Sequence, residues 1–208
     1  MTSERESPGT PHAAAVHEAL AEAVGVHTAL AGLAPRIVEA ASRCSAALRR
    51  GGRVLVFGNG GSAAEAQHFA AELSGRFRRE RRALGALALT TDTSVLTAVG
   101  NDYGFDRVFA RQVEAFGQAG DVAIGISTSG RSPNVVAGLA AARAAGLETI
   151  ALTGGDPGPL AAHADVVLPV AGPSTARVQE GHLTVLHIIC DLVESDVAAG
   201  VPGGEAGA

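Results

Sequence analysis

The chain has 208 residues and a formal net charge of −5, with 47% hydrophobic and only 3% aromatic residues. That length fits one domain whose core is built from small and aliphatic side chains, without help from disulfides or a structural metal. All 16 basic residues are arginine, which excludes chemistry built on a lysine amine: Schiff-base enzymes, pyridoxal phosphate enzymes and Walker-A nucleotide hydrolases.

Negative charge argues against a general nucleic-acid surface, where lysine and arginine neutralise phosphates. No apolar run is long enough to span a bilayer, and the start MTSERESPGTPH is polar. The expectation is a cytoplasmic protein that binds neither nucleic acid nor membrane.

In chain order, residues 1–12 and 200–208 read as disordered tails, polar and Gly-rich respectively, around one domain over 13–199. From Ala13 to Arg50 the pattern is helical, with Pro35 as a break or first-turn residue, so two helices are expected. Ile37, Ala41, Cys44 and Leu48 fall on one stripe. Cys44 and Cys190 lack ligand spacing and read as buried small hydrophobes.

After Gly51-Gly52 come short apolar runs at 54–57, 86–89, 122–126, 149–152 and 166–170, which read as buried strands. Helical segments are expected near 63–75, 106–117, 133–145, 157–162 and 174–198, and the basic run 76–82 (RFRRERR) as a solvated loop. This alternation predicts an α/β fold with a doubly wound, five-stranded parallel sheet flanked by helices. Ligands of such sheets bind beyond the carboxyl ends of the strands.

Two strand-to-helix loops are alike: VLVFGNGGSA (54–63) and VAIGISTSGRSP (122–133). In the second, Ser127, Thr128, Ser129 and Ser132 place four hydroxyls ahead of a helix that starts at Pro133. Those donors and the positive helix end suit a phosphate; a capped helix start would need only one or two of them. Residues 58–63 also match G-x-G-x-x-A, but a ribose-binding acid is due about 20 residues on, and Asp92 stands distinctly later. The following helix carries Glu65, His68 and Glu72, which is unusual for a dinucleotide fold.

His68 and Glu72, at i and i+4, project from one helix face and can share a metal or a substrate, although such pairs are also common on exposed helices. The last helix returns Gln179, His182, Leu183, Leu186 and His187 to broadly one side. His187 lies in the apolar stretch LTVLHIIC, where burial without a partner would be costly.

GNGGSAAEAQHFAAELSGRF, VGNDYGF, GISTSGRSPNV, ALTGG and RVQEGHLTVLHIICDLVE occur in this order, and together they resemble the phosphoheptose isomerases of the sugar isomerase (SIS) domain superfamily from about Ala13 to Val193. The resemblance implies a flavodoxin-like three-layer sandwich and an intramolecular aldose-ketose isomerase. It would convert sedoheptulose 7-phosphate to D-glycero-D-manno-heptose 7-phosphate through an enediol. It further implies one Zn2+ per site held by His68, Glu72, Gln179 and His187, with Glu72 and His187 as the acid/base pair. Asn59, Gly60, Gly61, Ser62, Glu72, Asn101, Asp102, Ser127, Thr128, Ser129, Ser132 and Gln179 match substrate-contacting positions. A homotetramer with sites formed between subunits is also implied.

Glu72 suits the carbon-bound proton and His187 the oxygen proton, while the metal would polarise the carbonyl or chiefly organise the site. Two positions depart from relatives: Glu65 stands where many carry Asp, and Ala176 replaces a polar residue found in some. The alternative is a non-catalytic branch of the superfamily that binds the replication initiator DnaA. That branch lacks the acid/base pair which this chain retains.

Overall fold

The computed structural model describes residues 11–198. The tails expected at the two ends lie outside the described residues, except for Pro11 and His12, which open helix α1 (Pro11–Ala29). A 3-10 turn over Leu30–Leu33 separates α1 from α2 (Ala34–Arg49), with Pro35 in the first turn of α2 where its missing N–H costs nothing. Ile37, Ala41, Cys44 and Leu48 are all buried, as the stripe predicted.

Five strands, β1 (Val54–Gly58), β2 (Ala86–Ala88), β3 (Val122–Ser127), β4 (Glu148–Gly154) and β5 (Val166–Val170), form one parallel sheet in the order β2-β1-β3-β4-β5. Every residue of β1 and β3 is buried, because helices cover both faces of the sheet. The edge strand β5 alternates buried with half-buried residues, and an edge tolerates Pro169.

The first face carries α2, α3 (Gly61–Ser74) and α7 (Thr175–Ala198), with Val26 and Leu30 added from the N-terminal helices. The second carries α5 (Val108–Phe116) and α6 (Pro133–Ala144). There α6 approaches the sheet at Gly138, where a Cβ would meet the Phe57 ring at 2.6 Å. Phe57 itself stacks on Phe109, ring centroids 5.2 Å apart.

Three segments differ from the sequence expectation. An additional helix, α4 (Thr93–Tyr103), follows β2 and buries none of its residues. The segment near 157–162 is a 3-10 helix over Gly158–His163. The basic run is a loop but is not solvated throughout: the Arg81 side chain is 2% exposed and pairs with Glu194 on α7, a residue with no exposure at all.

The order 2-1-3-4-5 reverses direction between β1 and β3, the switch point where such sheets bind ligands. Register pairs Val54 with Val122 and Gly58 with Ile126, so the two strands end level. The two similar loops of the sequence are therefore neighbours.

Candidate active site

Both switch-point loops lead into helices whose N-cap residues make no side-chain cap. Gly60, at φ 55°, is the N-cap of α3, and Ser132 that of α6; neither donates or accepts a capping side-chain bond. Later N–H groups of those first turns bond the Asn59, Gly60 and Ser132 carbonyls, so the backbone N–H groups of Gly61 and Asn134 are the ones left for a ligand. Ser132 Oγ instead lies 2.9 Å from Ser127 Oγ, and Ser127 Oγ lies 3.4 Å from Ser129 Oγ. The hydroxyls thus form one cluster, with Ser127 buried, Thr128 and Ser132 half-buried and Ser129 exposed. Gly130 closes the loop at φ 64°, so tightly against the Pro157 carbonyl that a Cβ would not fit.

A paired amide contact joins the two loops. Asn59 Nδ2 donates to Asn134 Oδ1 and Asn134 Nδ2 donates to Asn59 Oδ1, both at 2.8 Å. Asn134 is 1% exposed and also accepts from Val135 N at 3.0 Å. Sequence reasoning missed Asn134; its signal was the polar residue inside SPNV, where an all-apolar helix face would otherwise begin. Asn134→Ala is expected to lower stability by about 1–3 kcal/mol, the range for stranding a buried polar partner. It should also raise KM by loosening the loop at Asn59, both effects being read by thermal melts and steady-state kinetics.

Helices α3 and α7 pack side by side on the first face, and the candidate residues His68, Glu72, Gln179 and His187 lie along their seam. Gly61, Glu65, His68 and Glu72 follow one another at i+4, i+3 and i+4 spacing, so they form one stripe. At its start, a Cβ on Gly61 would run into the Gln179 carboxamide. Farther along, His68 Nε2 is 2.9 Å from His187 Nε2 and 3.3 Å from Glu72 Oε1. Donor atoms of His68, Glu72 and His187 all lie within 4.8 Å of one another. Two ring nitrogens facing each other can share one proton or turn both lone pairs to a cation, and two imidazoles with a carboxylate suit a divalent ion.

Gln179 stands on the same seam eight residues before His187, roughly 12 Å along the axis, beside Gly61 rather than beside the imidazoles. Ser62 is 3% exposed and faces inward toward Glu65. Asn101 and Asp102 are exposed near the end of α4, where Asn101 Nδ2 donates to Asp102 Oδ1 at 2.8 Å. A pocket of about 140 Å³ between Asn59, Gly60 and Leu96 brings α4 up to the first loop without including that pair.

Burial lowers the pKa of His187, and the neighbouring His68 lowers it further against an opposing pull from Glu72. Burial also pushes the Glu65 carboxyl up to about 7, with an opposing hydrogen bond from Ser62. Both protonation states of Glu65 are therefore populated near neutrality, one turn from His68. The fully buried His182 bonds the Thr153 carbonyl through Nε2 at 2.9 Å, so Nε2 carries the proton. Its pKa falls to about 4 through burial, which keeps it neutral and makes it a structural support of the end of β4.

A parallel sheet with a hydroxyl-lined loop at its switch point, and an imidazole–carboxylate cluster on the helix that follows the neighbouring loop, defines a sugar-phosphate type of site. The SIS domain matches residues 13–154. The phosphoheptose isomerase of Geobacter sp. (strain M21) is 59% identical over 173 residues, covering 83% of this chain and 90% of that protein. The structure of phosphoheptose isomerase GmhA from Neisseria gonorrhoeae superposes with a TM-score of 0.82 at 48% identity, covering 86% of this chain and 97% of that one. That of a phosphoheptose isomerase from Francisella tularensis gives 0.86 at 36% identity, covering 89% and 100%. The chain belongs to the SIS domain family and, within it, to the phosphoheptose isomerases.

Proposed function

We propose that this chain interconverts sedoheptulose 7-phosphate and D-glycero-D-manno-heptose 7-phosphate, an aldose-ketose isomerisation of heptose biosynthesis. The observation that carries this reading is the convergence of His68, Glu72 and His187 from two helices on one point of the seam beside the switch-point loops. The Ser127–Ser132 loop and the open start of α6 would hold the phosphate, and Asn59 to Gly61 with Gln179 the sugar hydroxyls. Such anchoring of the remote phosphate leaves the C1–C2 end to the seam.

Glu72 takes the proton from C1, giving an enediol, and returns it to C2; His187 carries the proton from the C1 hydroxyl to the C2 oxygen. The balance is internal, with one carbon proton and one oxygen proton exchanged and nothing oxidised or reduced. His68, Glu72 and His187 are the residues that would hold Zn2+, while Gln179, the fourth ligand of the proposed set, lies beside Gly61. A bound zinc would supply positive charge at the substrate carbonyl, favouring negative charge on its oxygen.

The proposed assembly is a homotetramer whose subunits complete one another's sites, working in the cytoplasm. Supporting it, α1 exposes Val16, Leu20 and Val24 on one stripe, and α7 exposes Ile188. An apolar groove of about 420 Å³ runs among Leu30, Ile37, Val38, Ile188 and Leu192. Helix α4, which has no fully buried residue and packs on the core only through the half-buried Leu96 and Val99, is a second surface for another copy. No helix among the described residues is long and apolar enough to cross a membrane. The DnaA-binding alternative has no support in the comparisons, where relatives at 59% identity are phosphoheptose isomerases.

The test is an NMR assay of the full chain with sedoheptulose 7-phosphate. Aldose 7-phosphate should form, cease forming with chelator and form again on adding Zn2+. Absence of turnover in folded, zinc-loaded protein would overturn the assignment.

A further inference from the structure

His187 is weakly tethered for a residue asked to move protons. Among the described residues its ring makes one hydrogen bond, between its Nε2 and that of His68. A ligating or catalytic histidine is normally oriented by a partner on its other nitrogen, and Nδ1 of His187 has none there. The second torsion of a histidine side chain is broad, so packing must hold the ring.

The packing comes from the basic run. Glu194, buried on α7, accepts from the backbone N–H groups of Phe77, Arg78 and Arg79 at 2.7, 2.8 and 2.9 Å. Arg81 pairs with the same carboxylate at 3.0 Å and donates to the carbonyls of Glu72 and Gly75 at 2.8 Å each. Consecutive amides converging on one carboxylate fix the path of this strap across the end of α3. That path lays the Phe77 ring over the face of His187, centroids 5.3 Å apart and planes at 28°. The edge of the imidazole meets His68, centroids 5.1 Å apart at 66°.

We propose that Phe77 is a positioning residue for His187, its ring held by the Glu194-anchored strap so that the imidazole tilts Nε2 toward His68 and Glu72. The inference rests on the isomerase reading of the seam. An imidazole free to swing would leave the proton path, and a misplacement of about 1 Å can cost on the order of 10²-fold in rate.

The test compares wild type, Phe77→Leu, Phe77→Ala and Phe77→Tyr in the full chain. Leu fills the space without a flat face, so Phe77→Leu should melt near wild type while kcat falls by roughly 10-fold with KM within about twofold. Phe77→Ala should lose at least as much, and Phe77→Tyr, which restores the ring, should return kcat close to wild type. A readout independent of turnover is zinc affinity by chelator competition, expected to weaken by roughly 10-fold in Phe77→Leu, the scale for losing an orienting outer-shell partner. Unchanged kcat and zinc affinity in folded Phe77→Leu would overturn the proposal, since a mere filler of the loop would behave that way. Wild type without turnover would instead count against the isomerase reading, and the zinc comparison would still decide the role of Phe77. Should Phe77→Ala fail to fold, Phe77→Leu and Phe77→Tyr give the same decision.

Discussion

Replacing Glu72 by Gln is expected to lower kcat for ketose-to-aldose conversion by about 10²- to 10⁴-fold, the range for losing a positioned general base. Gln keeps the shape of the side chain and an oxygen near His68, so the helix and the seam should stay as they are. What it loses is the ability to take a proton from carbon. Because a carboxamide is also a weaker metal ligand, zinc content is to be measured on the same preparation. Loss of turnover at full zinc occupancy assigns the defect to the base, and solvent-deuterium exchange at C1 of the ketose should fall in parallel. A variant that retains kcat within a few-fold would move the carbon proton to another group, for which Glu65, titrating at about 7 on the same stripe, is the first to test.

The sheet was legible because its strands carry the strongest sequence signal there is: short apolar runs buried on both faces and cut off by glycine, serine and aspartate. Helix α4 was not legible for the opposite reason. It packs no buried residue, and Thr93, Val95, Thr97 and Val99 are β-branched, so neither periodicity nor propensity marks it. Its one start signal was Asp92, whose carboxylate accepts from Val95 N at 3.0 Å.

At the site, His68 and Glu72 declared themselves by spacing within one turn. Their meeting with His187, 119 residues away, rests on how α3 and α7 pack, which spacing within one helix does not fix. Glu194 went unread because it sits among Asp191 and Asp196 and looks like part of a solvated acidic helix end. Its position four residues after Cys190, on the buried stripe of α7, was the sign that it points inward. Once it does, RFRRERR is its counterpart, and the run closes on α7 instead of facing solvent.

Glu194→Gln is accordingly expected to destabilise the fold by about 3–5 kcal/mol, the range for removing one partner of a buried pair. The three backbone donors divide between the two carboxylate oxygens, so the amide would turn its N–H groups toward one or two of them and leave the buried Arg81 without its anion. Burial raises the pKa of Glu194, but the three backbone donors and Arg81 outweigh it, so the carboxyl lies below its ordinary value. A group with a depressed pKa contributes its stability in full above the unfolded value, about 4.3 for glutamate, and loses it as pH falls through the folded one. The difference between wild type and Glu194→Gln should therefore be largest above about pH 5 and shrink as the medium is acidified below 4. Denaturant melts across that range measure it directly. A difference below about 1 kcal/mol at neutral pH would mean that the strap is held by its other contacts, such as the pairing of Arg79 with Asp191. In that event Phe77 would stay on His187 without Glu194, and the variant should keep its kcat as well as its stability.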